Sequence, residues 1–80
     1  MPAFRQLEYF LEVADSGSLR RAAQRLGVTQ PTITAQLNAL EQKLGVVLLE
    51  RTRTATTLSP AGRELFPEIR QLMSPWHDLV

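Results

Sequence analysis

Ser18 to Leu44 reads SLRRAAQRLGVTQPTITAQLNALEQKL, and its apolar spacing predicts two helices joined by a tight turn. In the second half, Ile33, Leu37, Leu40 and Leu44 recur at steps of four, three and four. At about 3.6 residues per turn they share one narrow stripe, the expected core face. Pro31, Thr34, Ala35, Asn38 and Gln42 fall on the other side of the wheel, with Thr32, Gln36 and Ala39 along one flank. No charged residue occurs between Arg25 and Glu41. The outward face is therefore small, uncharged and rich in amide and hydroxyl groups, whereas a solvated helix face ordinarily carries Lys and Glu. Such a face suits close approach to a duplex: amides pair with adenine edges, hydroxyls with several bases, and methyl groups with thymine.

The first half follows a similar logic. Leu19, Ala22, Ala23 and Leu26 form a second apolar stripe, with Ser18 placed as a cap and Arg20, Arg21 and Arg25 off the stripe. The paired alanines allow two helices to cross closely. Gly27 can take positive φ at the helix end, Val28 plugs the corner, Thr29 caps the next helix, and Pro31 falls in its first turn. A helix, a glycine-containing turn and a helix with a readable face make a helix-turn-helix pattern.

Outward from this pair, Leu7, Phe10, Leu11 and Ala14 predict a first helix from about Phe4 to Asp15 that closes a three-helix core. Gly17 breaks it. After Gly45, the run Val46 to Leu49 lacks helical spacing and the following stretch is dense in threonine, which favours extended backbone. Leu49 to Arg51 and Thr56 to Leu58 are expected as two short strands around a turn at Arg53 to Ala55, forming a wing. Ser59 and Pro60 restart helix. There Leu65, Phe66, Ile69, Leu72, Met73 and Trp76 make a stripe too long for a three-helix core to cover, so its remainder is expected to pair with the same helix of a second chain. Pro67 predicts a bend near Arg63 to Pro67, and Pro75 a kink or an end near Ser74.

The chain has 80 residues, a formal net charge of +1 and no cysteine. One small domain is expected, without disulfides or a structural zinc site. No stretch approaches a membrane span and Met1 to Leu11 lacks a signal-peptide pattern, so the expectation is a soluble, cytoplasmic protein. Charge distribution says more than the sum: Glu8, Glu12 and Asp15 sit on the first helix, Arg20, Arg21 and Arg25 on the second, and Arg51 and Arg53 in the wing. His77 is the sole histidine, and neither a phosphate-binding loop nor a nucleophile-base pair can be picked out, so no enzyme is expected.

Two stretches, LEYFLEVADSGSLRRAAQRLGVTQPTITAQLNALEQKLGVVLLERT and LSPAG, together resemble the N-terminal DNA-binding domain of LysR-type transcriptional regulators. The resemblance implies a mainly α fold: a winged helix-turn-helix over residues 1–58, followed by a linker and dimerisation helix over 59–80. It implies base and phosphate contacts from Thr29, Gln30, Pro31, Thr32, Thr34 and Ala35, with Gln36 and Asn38 added, and backbone positions near Ser18 and Arg21. The family's wing pattern resembles Arg-Thr-Gly-Arg-Gly. Here it reads Arg51, Thr52, Arg53, Thr54, Ala55, with Thr54 at the usual arginine position and Arg53 as the nearest substitute. Ala35 stands where many members have arginine, which favours a thymine methyl over a guanine or phosphate contact.

The implied partners are double-stranded DNA with a partly symmetric site, a second copy of the chain, tetramers in a full-length protein, and RNA polymerase. The resemblance implies no cofactor in this stretch; a small-molecule effector would be held by a further C-terminal domain. Bland readings stay beside these: Arg25 as a solvated residue, Arg51 as one half of an ion pair with Glu50, and the whole fold as a winged-helix module that docks on protein. Near-neutral charge supports the last; arginines flanking one polar face speak for DNA.

Overall fold

The chain folds in the order α1 (Phe4–Ser16), α2 (Leu19–Leu26), α3 (Gln30–Leu44), β1 (Leu49–Arg51), β2 (Thr56–Leu58) and α4 (Pro60–Met73) in a computed structural model that describes residues 3–74. The expected linker positions Pro75 and Trp76, and His77, lie outside the described residues.

Local chemistry sets the boundaries. Ser18 Oγ accepts the Arg21 backbone N–H at 3.1 Å and so starts α2. Gly27 closes it at φ 71°, a conformation that would strain any residue with a Cβ. Val28 follows, donating its N–H to the Ala23 carbonyl and packing partly buried against the core. Thr29 Oγ1 accepts the Thr32 N–H at 3.3 Å at the start of α3. Both junctions are as their sequence predicts.

The core gathers Phe10, Val13, Ala22, Ile33, Leu37, Leu40 and Leu48, all almost fully excluded from solvent. The inner face of α1 is Gln6, Tyr9, Phe10 and Val13, with Leu7 and Leu11 only partly buried. The expected stripe was thus rotated away from Tyr9 and Val13. The reason is that α1 is packed on by α2, α3, α4 and β2 at once, so it buries a wide arc and not one stripe. Arg25 bonds Glu12 on α1 at 3.2 Å.

The wing is an antiparallel pair with Leu49 opposite Leu58 and Arg51 opposite Thr56. Its tip has no glycine or asparagine because Thr52 does their work. The Thr52 hydroxyl donates to the Ala55 carbonyl at 3.0 Å and accepts the Ala55 N–H at 3.1 Å. The Thr56 N–H reaches the Gly17 carbonyl at 3.2 Å, fastening the wing to the end of α1.

One residue ties these elements together. The Leu48 side chain is 1% exposed, its N–H donates to Glu41 Oε2 on α3 at 2.7 Å, and its carbonyl accepts the Ser59 N–H at 2.9 Å. Ser59 Oγ accepts the Gly62 N–H at 3.0 Å and donates to the Val47 carbonyl, so the α4 cap and the strand entrance are one network. Gly62 packs against the Leu48 carbonyl itself.

The helix α4 runs unbroken through Pro67, which is solvent exposed, and ends at Met73 with Ser74 as its cap. Its stripe does not all face outward. Ile69 is 6% exposed within the core, Phe66 packs edge-on to Phe10 with centroids 6.2 Å apart, and Leu65 and Met73 are partly buried. Ile69 is therefore corrected from dimer contact to core residue, because α4 is needed to close the core over α1.

A Cβ on Gly62 would collide with the Leu48 carbonyl oxygen and lie 3.2 Å from Leu58 Cδ2. Alanine ordinarily favours a helix over glycine by about 1 kcal/mol, yet overpacking against backbone costs about 1 to 3 kcal/mol. Gly62→Ala is expected to lower the urea midpoint; a raised midpoint would contradict this close approach.

Candidate nucleic-acid interface

With Ile33, Leu37 and Leu40 turned inward, α3 leaves Gln30, Pro31, Thr32, Ala35, Asn38 and Gln42 exposed. The side-chain amides of Gln30, Asn38 and Gln42 make no hydrogen bond among the described residues, so their donors and acceptors are available to a partner. Three expected contact residues are less free. Thr29 spends its hydroxyl on the helix start, where it also lies 2.9 Å from Thr32 Oγ1. Gln36 is half-buried, and its Oε1 accepts from Gln6 Nε2 at 3.2 Å. Thr34 is half-buried as well.

Exposed basic side chains stand on α2 and the wing. Arg20 and Arg21 are exposed on α2 and line a shallow concavity with Ser18 and Gln24. Arg51 and Arg53 are exposed on the wing. The ion pairs found among the described residues are Arg25 with Glu12 and Arg70 with Asp15. Arg51 does not pair with Glu50, since neighbours on a strand point to opposite faces. Arg25, by contrast, is tied back to α1.

On α4, Leu72 is 70% exposed. It is the clearest free apolar residue of the stripe that the sequence assigned to dimerisation.

Sequence reading missed Glu41 and Gln6. Glu41 Oε2 accepts the N–H groups of Leu48 and Leu49, at 2.7 and 3.2 Å, and so holds the wing entrance against α3. A glutamate in the last turns of a helix ordinarily faces water, and nothing local marks this one. Gln6 bridges α1 to Gln36 and, through Lys43 Nζ at 3.4 Å, to the end of α3.

These elements make a winged helix-turn-helix whose second helix offers an exposed face of amides and small groups, with exposed arginines on α2 and the wing. The chain belongs to the bacterial regulatory helix-turn-helix proteins of the LysR family, whose family model matches residues 4–63. It is 50% identical over 70 residues to the HTH-type transcriptional regulator ClcR of Pseudomonas putida, covering 88% of this chain and 24% of ClcR. The DNA-binding domain of CbnR, solved in complex with DNA, superposes with a TM-score of 0.88 at 45% identity, covering 95% of this chain and 87% of that one. The DNA-binding domain of BenM on catB site 1 DNA gives 0.89 at 31% identity, covering 96% and 86%. The chain spans about a quarter of the length of the curated relatives it matches first.

Removing the carboxylate of Glu41 leaves the Leu48 N–H buried without its acceptor. Glu41→Ala is expected to cost about 1 to 3 kcal/mol in urea unfolding, and Glu41→Gln, which can still accept, to recover most of it. Equal losses in the two variants would contradict this role.

Proposed function

We propose that this chain binds double-stranded DNA sequence-specifically for a transcriptional regulator. The exposed face of α3 would enter the major groove, the wing would lie at the minor groove and backbone, and Arg20 and Arg21 would meet phosphates. One observation carries this reading: α3 presents unpaired amides and small apolar groups with no charge among them, flanked by arginines that make no ion pair among the described residues. A helix face evolved for water alone would carry charge. The likeness to the DNA-bound CbnR and BenM domains supports the same assignment.

Each element has a distinct task. Gln30 and Asn38 carry donor and acceptor together and match adenine edges, whereas Ala35 and Pro31 offer apolar contact to thymine methyls. The arginines supply affinity by releasing counterions, without reading sequence. Arg53 stands at the wing tip in the role that an arginine at the Thr54 position would otherwise fill.

Two chains would pair through α4, with Leu72 as the exposed anchor and the partly buried Leu65, Phe66 and Met73 beside it. Ile69 belongs to the protomer interior and takes no part. For the whole regulator, a small-molecule effector bound by a further domain, assembly into tetramers and contact with RNA polymerase complete the proposal.

On a duplex enriched from a random pool, Gln30→Ala should cost about 1 to 3 kcal/mol and relax preference at one base pair. Equal weakening on enriched and random DNA would reduce Gln30 to a phosphate contact. Leu72→Asp should yield monomers in sedimentation equilibrium with an unchanged urea midpoint, while Ile69→Asp should unfold the chain by burying a charge. Dimers persisting in Leu72→Asp would refute the α4 contact.

A further inference from the structure

Gln6 sits 6% exposed among the apolar side chains of α1. A buried carboxamide is costly unless both of its ends are paired, and here both are. Its Oε1 accepts the Ala3 backbone N–H at 3.3 Å and Lys43 Nζ at 3.4 Å, and its Nε2 donates to Gln36 Oε1 at 3.2 Å. Chemistry dictates these directions. An ammonium and a backbone N–H can only donate, so Gln6 must turn its oxygen towards them. Its NH2 then faces α3, where only the carbonyl end of the Gln36 amide can receive it. The Lys43 charge polarises the chain of bonds in the same sense.

The consequence falls on the reading surface. Gln36 shares a helix flank with the exposed Thr32, and its Nε2 has no partner among the described residues. A free glutamine amide can pair with adenine through both ends, giving to N7 and accepting from N6. Gln36 is held back from that two-ended pairing, because its Oε1 is turned to Gln6 Nε2 while its Nε2 stays free among the described residues.

We propose that Gln6 is a specificity-positioning residue, which locks Gln36 as a hydrogen-bond donor so that this flank of α3 selects an acceptor edge, guanine O6 and N7 or thymine O4, and disfavours cytosine, whose N4 only donates. The role rests on the DNA-reading function of α3. Gln6 touches no base; it acts through the orientation of one amide on a neighbouring helix. Gln6→Glu inverts the relay. A carboxylate still accepts from Ala3 and Lys43 but cannot donate, so Gln36 must turn its NH2 inward and present its carbonyl oxygen to the groove. The flank then favours a base that donates, adenine N6 or cytosine N4.

The test is selection of bound duplexes from a random pool by the unaltered full chain and by Gln36→Ala and Gln6→Glu, with folding checked by circular dichroism. Gln36→Ala should lose a guanine or thymine preference at one base pair. Gln6→Glu should change that same pair to adenine or cytosine by about tenfold and leave the rest of the site intact. An identical enriched site for the unaltered chain and Gln6→Glu would overturn the proposal, as would Gln36→Ala with every preference retained. If the unaltered chain enriches nothing, the DNA-reading function fails first and this role with it. Side-chain amide exchange, measured by NMR without DNA, is an independent check. The Gln6 amide protons should exchange with water more slowly than those of Gln36; the reverse order would overturn the relay.

Discussion

Leu48 is the joint on which the arrangement of α3, the wing and α4 depends. Its N–H is held by a carboxylate from α3, its carbonyl by the first residue of the α4 cap, and its side chain fills the core. The helix that would enter the groove, the wing and the linker helix therefore meet at one residue. Because the joint is buried and hydrogen-bonded on both sides, the elements cannot swing independently without leaving a donor or acceptor unpaired. Gly62 sets how closely α4 approaches this joint, and Thr56, bonded to the Gly17 carbonyl, secures the far strand of the wing to α1. A two-stranded sheet alone is only marginally stable, so this anchoring is what gives the wing a defined position.

In the proposed function, affinity and selectivity are divided between different parts of the surface. The face of α3 would distinguish bases by geometry, while the exposed arginines of α2 and the wing would meet any phosphate backbone. Such a division would let a chain of net charge +1 carry a nucleic-acid interface. Two of the three acids of α1 are drawn into ties that serve the fold, Glu12 to Arg25 and Asp15 to Arg70, and Arg70 also stacks on Phe66 at 4.8 Å. Arg20, Arg21, Arg51 and Arg53 make no ion pair among the described residues.

Much of this architecture was legible from local signals. Ser18, Thr29 and Ser59 are side-chain caps, Gly17, Gly27 and Gly45 end helices, and the threonine-rich segment forms strands at the expected residues. Capping and β-branching act within a few residues of one another, which is why they can be read without a structure. The wider arc of α1, the inward turn of Ile69 and the tasks of Glu41 and Gln6 were not legible. Each depends on a partner distant in the chain: Gln6 finds Lys43 and Gln36 across α3, and Glu41 finds a strand that its own helix does not contain. The candidate face was visible as an uncharged run, but not the fact that Gln36 is half withdrawn from it.

The most direct test of sequence reading by α3 is an anisotropy titration of an enriched duplex and a scrambled one at two salt concentrations. The enriched duplex should bind at least about a thousandfold more tightly than the scrambled one at the same salt, and both affinities should fall as salt rises. Weak, equal binding to the two duplexes would contradict the account and return the polar face of α3 to a protein partner.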